Sequence, residues 1–497
     1  KRFVYLIIIV ISLILYTLTI RGNIGNPTPQ EINSSLKVNG QAFETSQERA
    51  RYALILSLVN DKSFAIDHYA SLGTPDVGRA QGHYYSFFPP GASVLALPLY
   101  LIGVNIGAAQ MMTFLLSTIF ALLTMLLIAR FIMKLELHWS AALFGAFAFG
   151  FATNAWGYSV TFYAHIISAY LLLAGLYLTI FLEEKKAGRT AMAVWVLYGL
   201  SVFIDFPNLL IYFPIVLLLT IKTFKLQKDN NALKIRLDSR FLLAPIVFII
   251  MMGGYGYYNY VHYGSATTLS NFLPRVKDVN AIQLKKNEAG REATSALKTR
   301  NMLEGFRSFI ISDDRGLVKY SPVVLLFVFG LGYLKRERKR IEITLFAIAI
   351  TCLTLYTMFG DPYGGWAFGS RYLIAVLPEL CILAAIGLHR FGSNKNSKRD
   401  LLVKAIYSVV FIYSAGISLL APLTTNVIPP QVEASGLGLD SNYIINWKML
   451  QFNQLNSFFY NHVLHGSISG YTYYNMILEF VVVIGMICIW YPKKSEN

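Results

Sequence analysis

Long apolar runs separated by polar gaps dominate this chain. They lie at about 3–20, 107–130, 139–155, 160–182, 190–204, 206–222, 241–261, 319–334, 342–359, 371–389, 402–422 and 474–491. Each is close to the ~20 residues that span a bilayer as a helix. The pattern predicts an all-α polytopic membrane protein of about 12 transmembrane helices, organised as one domain over 1–497. The first run is too long for a signal peptide and has no clean small-residue cleavage site. It is therefore read as an anchor. No internal repeat or low-complexity tract is visible.

The polar gaps carry a second pattern. Basic clusters fall in alternate gaps: Lys1 and Arg2, Arg130 and Lys134, Lys185 to Arg189, Lys222 to Arg240, Lys335 to Arg340, Arg390 to Lys404, and Lys493 and Lys494. These hold more than half of the 43 Lys+Arg. Basic short loops stay cytoplasmic, so both termini are expected inside. The intervening gaps then face outward. Three of them are long, at 21–106, 262–318 and 423–473, and the 423–473 segment has no evident role.

Composition agrees with the membrane reading. Of 497 residues, 55% are hydrophobic and 14% charged, and the net charge is +16. A soluble core of this size needs about a quarter of its residues charged. The positive excess fits anchoring to anionic membrane lipids and topology; nucleic acid is not an expected partner. Cys352, Cys381 and Cys488 lie within apolar runs without metal-ligand or redox spacing, and read as buried small hydrophobes. Phosphate loops, dinucleotide fingerprints, zinc-protease and serine-hydrolase motifs are absent, and no inner gap is long enough to be a nucleotide-sugar domain.

The first outer segment, 21–106, holds two helical stretches expected to lie at the interface. In 45–69, Ser46 is read as a helix cap, and Glu48 falls in the first turn, where the helix dipole favours an anion. In 79–103, the phrase Gly-His-Tyr-Tyr-Ser-Phe-Phe-Pro-Pro-Gly (82–91) precedes a short apolar run in which Pro90 suits a helix start.

These phrases resemble GT-C-fold membrane glycosyltransferases of the protein-mannosyltransferase/aminoarabinose-transferase-like superfamily. The acidic residue after the first span, Ser-Leu-Val-Asn-Asp (57–61) and 82–91 carry the resemblance. The phrases at 158–169, 313–322 and 364–373 extend it in order along nearly the whole chain. The resemblance implies a polyprenyl-phosphate sugar donor, an outer-face glycan, lipid or protein acceptor, and inverting transfer aided by a carboxylate of the first outer segment. A prokaryotic plasma membrane is the expected location. Where the family carries an acidic pair, this chain has Gln47-Glu48.

Site candidates follow with their alternatives. Glu48 is either the base or a support for its helix start, or a partner of Arg51; Gln47 is placed to hydrogen-bond a sugar. Arg371 is the first choice for the donor phosphate, against a snorkelling interfacial role. Arg315 is the second, against a salt bridge to Asp313 or Asp314, with Arg79 and Arg307 behind it. His165 bonds either substrate or a neighbouring helix, with Asp205 as one possible partner. Asp361 either caps a turn or contacts donor or metal. Tyr84, Tyr85, Trp366 and Tyr372 stack on a sugar or join the interfacial belt. His83 has no second ligand at metal spacing except, distantly, His68. No cofactor is indicated, although a divalent metal is possible in related folds. The rival readings are a lipid-linked saccharide carrier and a catalytically inactive subunit.

Overall fold

The structure is a computed structural model. It describes residues 2–35, 43–183, 187–229, 232–237, 243–276, 299–334, 339–361, 363–391 and 397–491. The clusters at Lys185–Lys186 and 335–338 and the last residues fall outside these.

Helices form where the apolar runs predict them. Among the described residues, seven are long and apolar enough to cross a membrane: Arg2–Thr19, Ala109–Lys134, Ala187–Ile204, Lys339–Thr357, Arg371–Phe391, Lys398–Leu423 and Gly470–Trp490. Trp139–Phe151, Ala164–Ile180, Asn208–Thr223 and Gly91–Ile106 are shorter apolar helices. The chain is an integral membrane protein. Among the seven, Arg371–Phe391 is the most enclosed, buried nearly all round between Pro322–Phe329, Trp139–Phe151 and Lys339–Thr357. An all-round apolar helix belongs in such a position. The run predicted at 319–334 is less regular, with a helical turn at Leu317–Tyr320 followed by 3-10 helix over Pro322–Phe329.

Alternate gaps collect at opposite ends of the bundle. At the basic end, the His138 amide donates to His389 (3.1 Å), Tyr491 packs on Trp139, and Lys222 donates to the carbonyls of Thr179 and Ile180 (both 2.7 Å). At the polar end, the three long segments meet. Arg21, just past the first helix, pairs with Glu44. Glu44 also accepts from the Asn426 amide (2.8 Å) and Asn456 Nδ2 (2.9 Å). Ser457 Oγ and the Phe458 amide bond the carbonyls of Leu18 and Ile20. Thus 423–473 ties itself onto the end of the first helix.

Two features depart from an all-helical expectation. A short antiparallel sheet has β1 (Val77–Ala80) between β2 (His83–Ser86) and a strand at Arg275–Val276 from the second long segment. Gln81 and Gly82 turn the hairpin with φ of 49° and 87°. That is the conformation a two-residue loop requires, and glycine adopts it without cost. A second hairpin pairs Phe224–Asp229 with Ala232–Leu237 in the Lys222–Arg240 gap.

The helix Ser46–Asn60 is not a surface element. Ala50 and Tyr52 to Leu56 are all buried, against Gly91–Ile106 and its neighbours. Gly91–Ile106 does keep an exposed apolar side, through Val94, Leu95, Leu101, Ile102 and Ile106.

Candidate functional site at the polar end

The N-terminus of Ser46–Asn60 points into the polar end, and its first turn sets the site. Thr45, not Ser46, is the cap residue. Glu48 closes the capping box. Its Oε2 accepts from the amides of Glu44 (3.0 Å) and Thr45 (3.2 Å). Ser46 instead donates to Asp76 Oδ2 (2.6 Å). Glu48 is 0% exposed, and its Oε1 has no hydrogen-bond partner. Burial, with Glu44 beside it, pushes Glu48 up to about 7. No Glu48–Arg51 pair forms among the described contacts.

One turn on, Arg51 lies on the same helix face. It is buried, and its guanidinium sits 4.1 Å from the Phe88 ring centre. Its one hydrogen bond is a long one to the Gln47 carbonyl (3.4 Å), and its Nε is unpaired. Burial pushes it down to about 10, so it remains a cation at neutral pH.

Arg371 approaches from the opposite wall, where a 3-10 turn (Arg371–Val376) opens the buried helix. Oriented by its hydrogen bonds, the Gln47 amide oxygen accepts from Arg371 Nη1 (3.1 Å) and Nη2 (2.6 Å), which leaves its NH2 group for another partner. Arg371 is also buried with an unpaired Nε. Tyr163 lies within the electrostatic reach of Glu48, Arg371 and Arg51, so all three belong to one cluster. Its hydroxyl is 2.8 Å from Thr45 Oγ1.

His165 and Tyr372 complete this wall. His165 opens the Ala164–Ile180 helix with Nδ1 3.1 Å from Asp205 Oδ2. This is an ion-pair distance, but the geometry is not that of a hydrogen bond, and Nδ1 makes none. The His165 ring meets Tyr372 edge-on at 5.9 Å, and Tyr372 stacks on Tyr356 at 4.4 Å. Asp205 acts on Arg51 and is 17% exposed.

Other candidates form a supporting shell. Arg315 is wholly buried, and its Nε and Nη1 are held by the scaffold. It binds Asp314 (3.1 Å) and the carbonyls of Tyr363 and Gly365. That is the salt-bridge alternative, although Arg315 Nη2 is buried without a hydrogen-bond partner. Asp361 caps its own turn by accepting from the Tyr363 amide (3.0 Å). Gly365 lies against Arg371: a Cβ there would lie 3.4 Å from Nη2, and its φ is +64°. Trp366 donates to Glu433 (2.6 Å), latching this loop to the last long segment. Beyond it lies a polar cleft of about 540 Å³ lined by Glu304, Arg307, Ser308, Asp313, Asp314 and Gln431.

The hairpin residues lie apart. Arg79 is exposed over Tyr84 (5.9 Å), His83 pairs with Asp67 (2.7 Å), and Tyr85 is core, packed on His262 and Tyr263. The hairpin reaches the cluster through the following Phe88 instead. Among the described residues, no three His, Cys, Asp or Glu side chains converge to hold a metal ion.

Sequence reasoning does not single out Arg51, Glu44 or Arg21 as site residues, and it places Asp205 as a loop anchor or a partner for His165. For Arg51 a signal exists: it stands three residues after Glu48 and four after Gln47, hence on their face.

Solved structures similar to this chain include ArnT from Cupriavidus metallidurans, in the apo state (TM-score 0.47) and bound to undecaprenyl phosphate (TM-score 0.49). In both cases the identity is 13%, over 97% of this chain and 76% of that one. The apo oligosaccharyltransferase of Archaeoglobus fulgidus is also similar (TM-score 0.46, 13% identity), over 88% of this chain and 58% of that one. No family model matches the chain, and no curated protein matches it.

Proposed function

We propose that this protein is an inverting glycosyltransferase that moves a sugar from a polyprenyl phosphate to an acceptor at the outer face of the membrane. The carrying observation is the pair of buried guanidiniums, Arg51 and Arg371, each with an unpaired Nε. Among the described residues neither guanidinium is salt-bridged to a carboxylate, which suits an anion that arrives from outside, and a guanidinium meets phosphate bidentately. The order of sequence phrases resembling GT-C enzymes supports the same donor class. The polar end is taken as the outer face and both termini as cytoplasmic, on the distribution of basic gaps.

In this reading the acceptor hydroxyl oxygen attacks the anomeric carbon, and the carbon–oxygen bond to the phosphate breaks on the far side. The acceptor proton passes to Glu48 Oε1, and the lipid phosphate leaves carrying the extra charge, held by Arg51 and Arg371. Gln47 offers its NH2 group to the sugar, and Tyr372 and His165 form one wall. The acceptor approaches over the polar cleft beside Tyr363.

Glu48→Gln tests the base without dissolving the cap, because glutamine also closes a capping box. The expected result is a loss of about 10²–10⁴-fold in transfer. Wild-type transfer should rise with pH through about 7, because the base works deprotonated. A variant as active as wild type sinks the assignment. Asp205 is the alternative base, as the more open carboxylate of the cluster. In that case Asp205→Asn, not Glu48→Gln, abolishes transfer.

Gly365→Val adds a branched side chain against Arg371 at positive φ. Up to about 10²-fold loss of transfer is expected from displacing Arg371. Unaltered kinetics would place the donor elsewhere.

A further inference from the structure

At the basic end, the terminal turns of four membrane helices enclose a cavity of about 440 Å³. Its lining comes from the end of Ala109–Lys134, the end of Ala164–Ile180, the end of Phe213–Thr223 and the start of Lys339–Thr357. The polar lining is Lys134, Lys222, Arg340 and Glu136, so cations exceed anions by two. The apolar lining includes Phe181, Leu218 and Ile341. Lys222 is fixed by the two carbonyls that close Ala164–Ile180, while Lys134 and Arg340 are exposed at the rim.

We propose that this cavity binds the phosphate headgroup of an anionic phospholipid from the leaflet at the basic end. The site stands apart from the polar-end cluster and does not depend on the transferase reading. Three observations select a lipid. The cavity lies at the ends of spanning helices, the level at which phospholipid headgroups sit. Its charge is complementary to a phosphodiester. Its remaining wall is apolar, as the glycerol and the first acyl carbons require, and basic pockets between helices on this side suit such headgroups. The volume lies within the roughly 300–1,000 Å³ of small-molecule sites.

The test uses the full chain purified in neutral detergent and titrated with lipid, read by native mass spectrometry. Phosphatidylglycerol should be retained over phosphatidylcholine of the same acyl chains. Lys134→Ala with Arg340→Ala should weaken phosphatidylglycerol retention about 25-fold, from roughly fivefold per cation. Both residues are exposed, and phosphatidylcholine retention by the variant should equal that of wild type. Equal retention of the two lipids by the wild-type protein overturns the proposal. So does undiminished phosphatidylglycerol retention by the double variant. If inorganic phosphate binds and the double variant loses it while lipid retention is unchanged, the ligand is a soluble phosphate and the lipid assignment fails.

Discussion

Arg371→Met is expected to reduce transfer from a polyprenyl-phosphate sugar by about 10²–10³-fold, the scale of losing one donor that stabilises developing charge. The melting temperature should not fall with it. Arg371 makes its side-chain hydrogen bonds to Gln47 while sharing its surroundings with the buried Arg51. Removing either cation removes repulsion as well as contacts. Arg371→Lys should rescue little, because an ammonium cannot make the bidentate contact. The Arg51→Met, Arg371→Met pair should lose less than the product of the single losses, since both act on one phosphate. Losses that multiply, or a variant that melts early with normal turnover, would show that the two residues do not share a ligand.

The largest effect on stability is expected at Arg21. Arg21→Met leaves Glu44 buried with amide donors and no cation, a change that costs about 3–5 kcal/mol. Thermal melting in detergent checks it. Arg21→Met with Glu44→Gln should recover part of the loss, because a neutral amide oxygen still accepts from Asn426 or Asn456 and no charge is stranded. If the single variant melts like wild type, the pair contributes nothing and the polar end is held by its other hydrogen bonds, those of Asn426, Asn456, Ser457 and Phe458 among them.

What can be read from the sequence follows from the range of the forces involved. Spans and their polarity depend on local composition, so the helices at 2–19, 109–134 and 371–391 are legible in the order of residues alone. The Glu48 capping role is also local, since it depends on a residue three positions away. Arg51 is obscured by the apolar positions around it. Glu44 has no local signature at all, because its side-chain partners stand at 21, 426 and 456. The hairpin at 77–86 is hidden for a related reason. Its strands have four residues each, and the third strand arrives from 275–276. Arg315 looks in sequence like a free cation at a membrane boundary, yet the carbonyls that hold it belong to a loop some fifty residues later.

The contact between Glu44 and Asn456 spans 412 positions of sequence. Synthesis runs from one end, so the first outer segment is made long before the residue that completes its bonding. During that interval Glu44 has Arg21 but not the last outer segment, and the turn that aims Glu48, Gln47 and Arg51 is only partly supported. Loop closure over such a distance is slow. The polar end is therefore completed only after the helices that precede 423–473 have been made, and a nascent chain cannot hold a fully formed site before Asn456 has folded back onto Glu44.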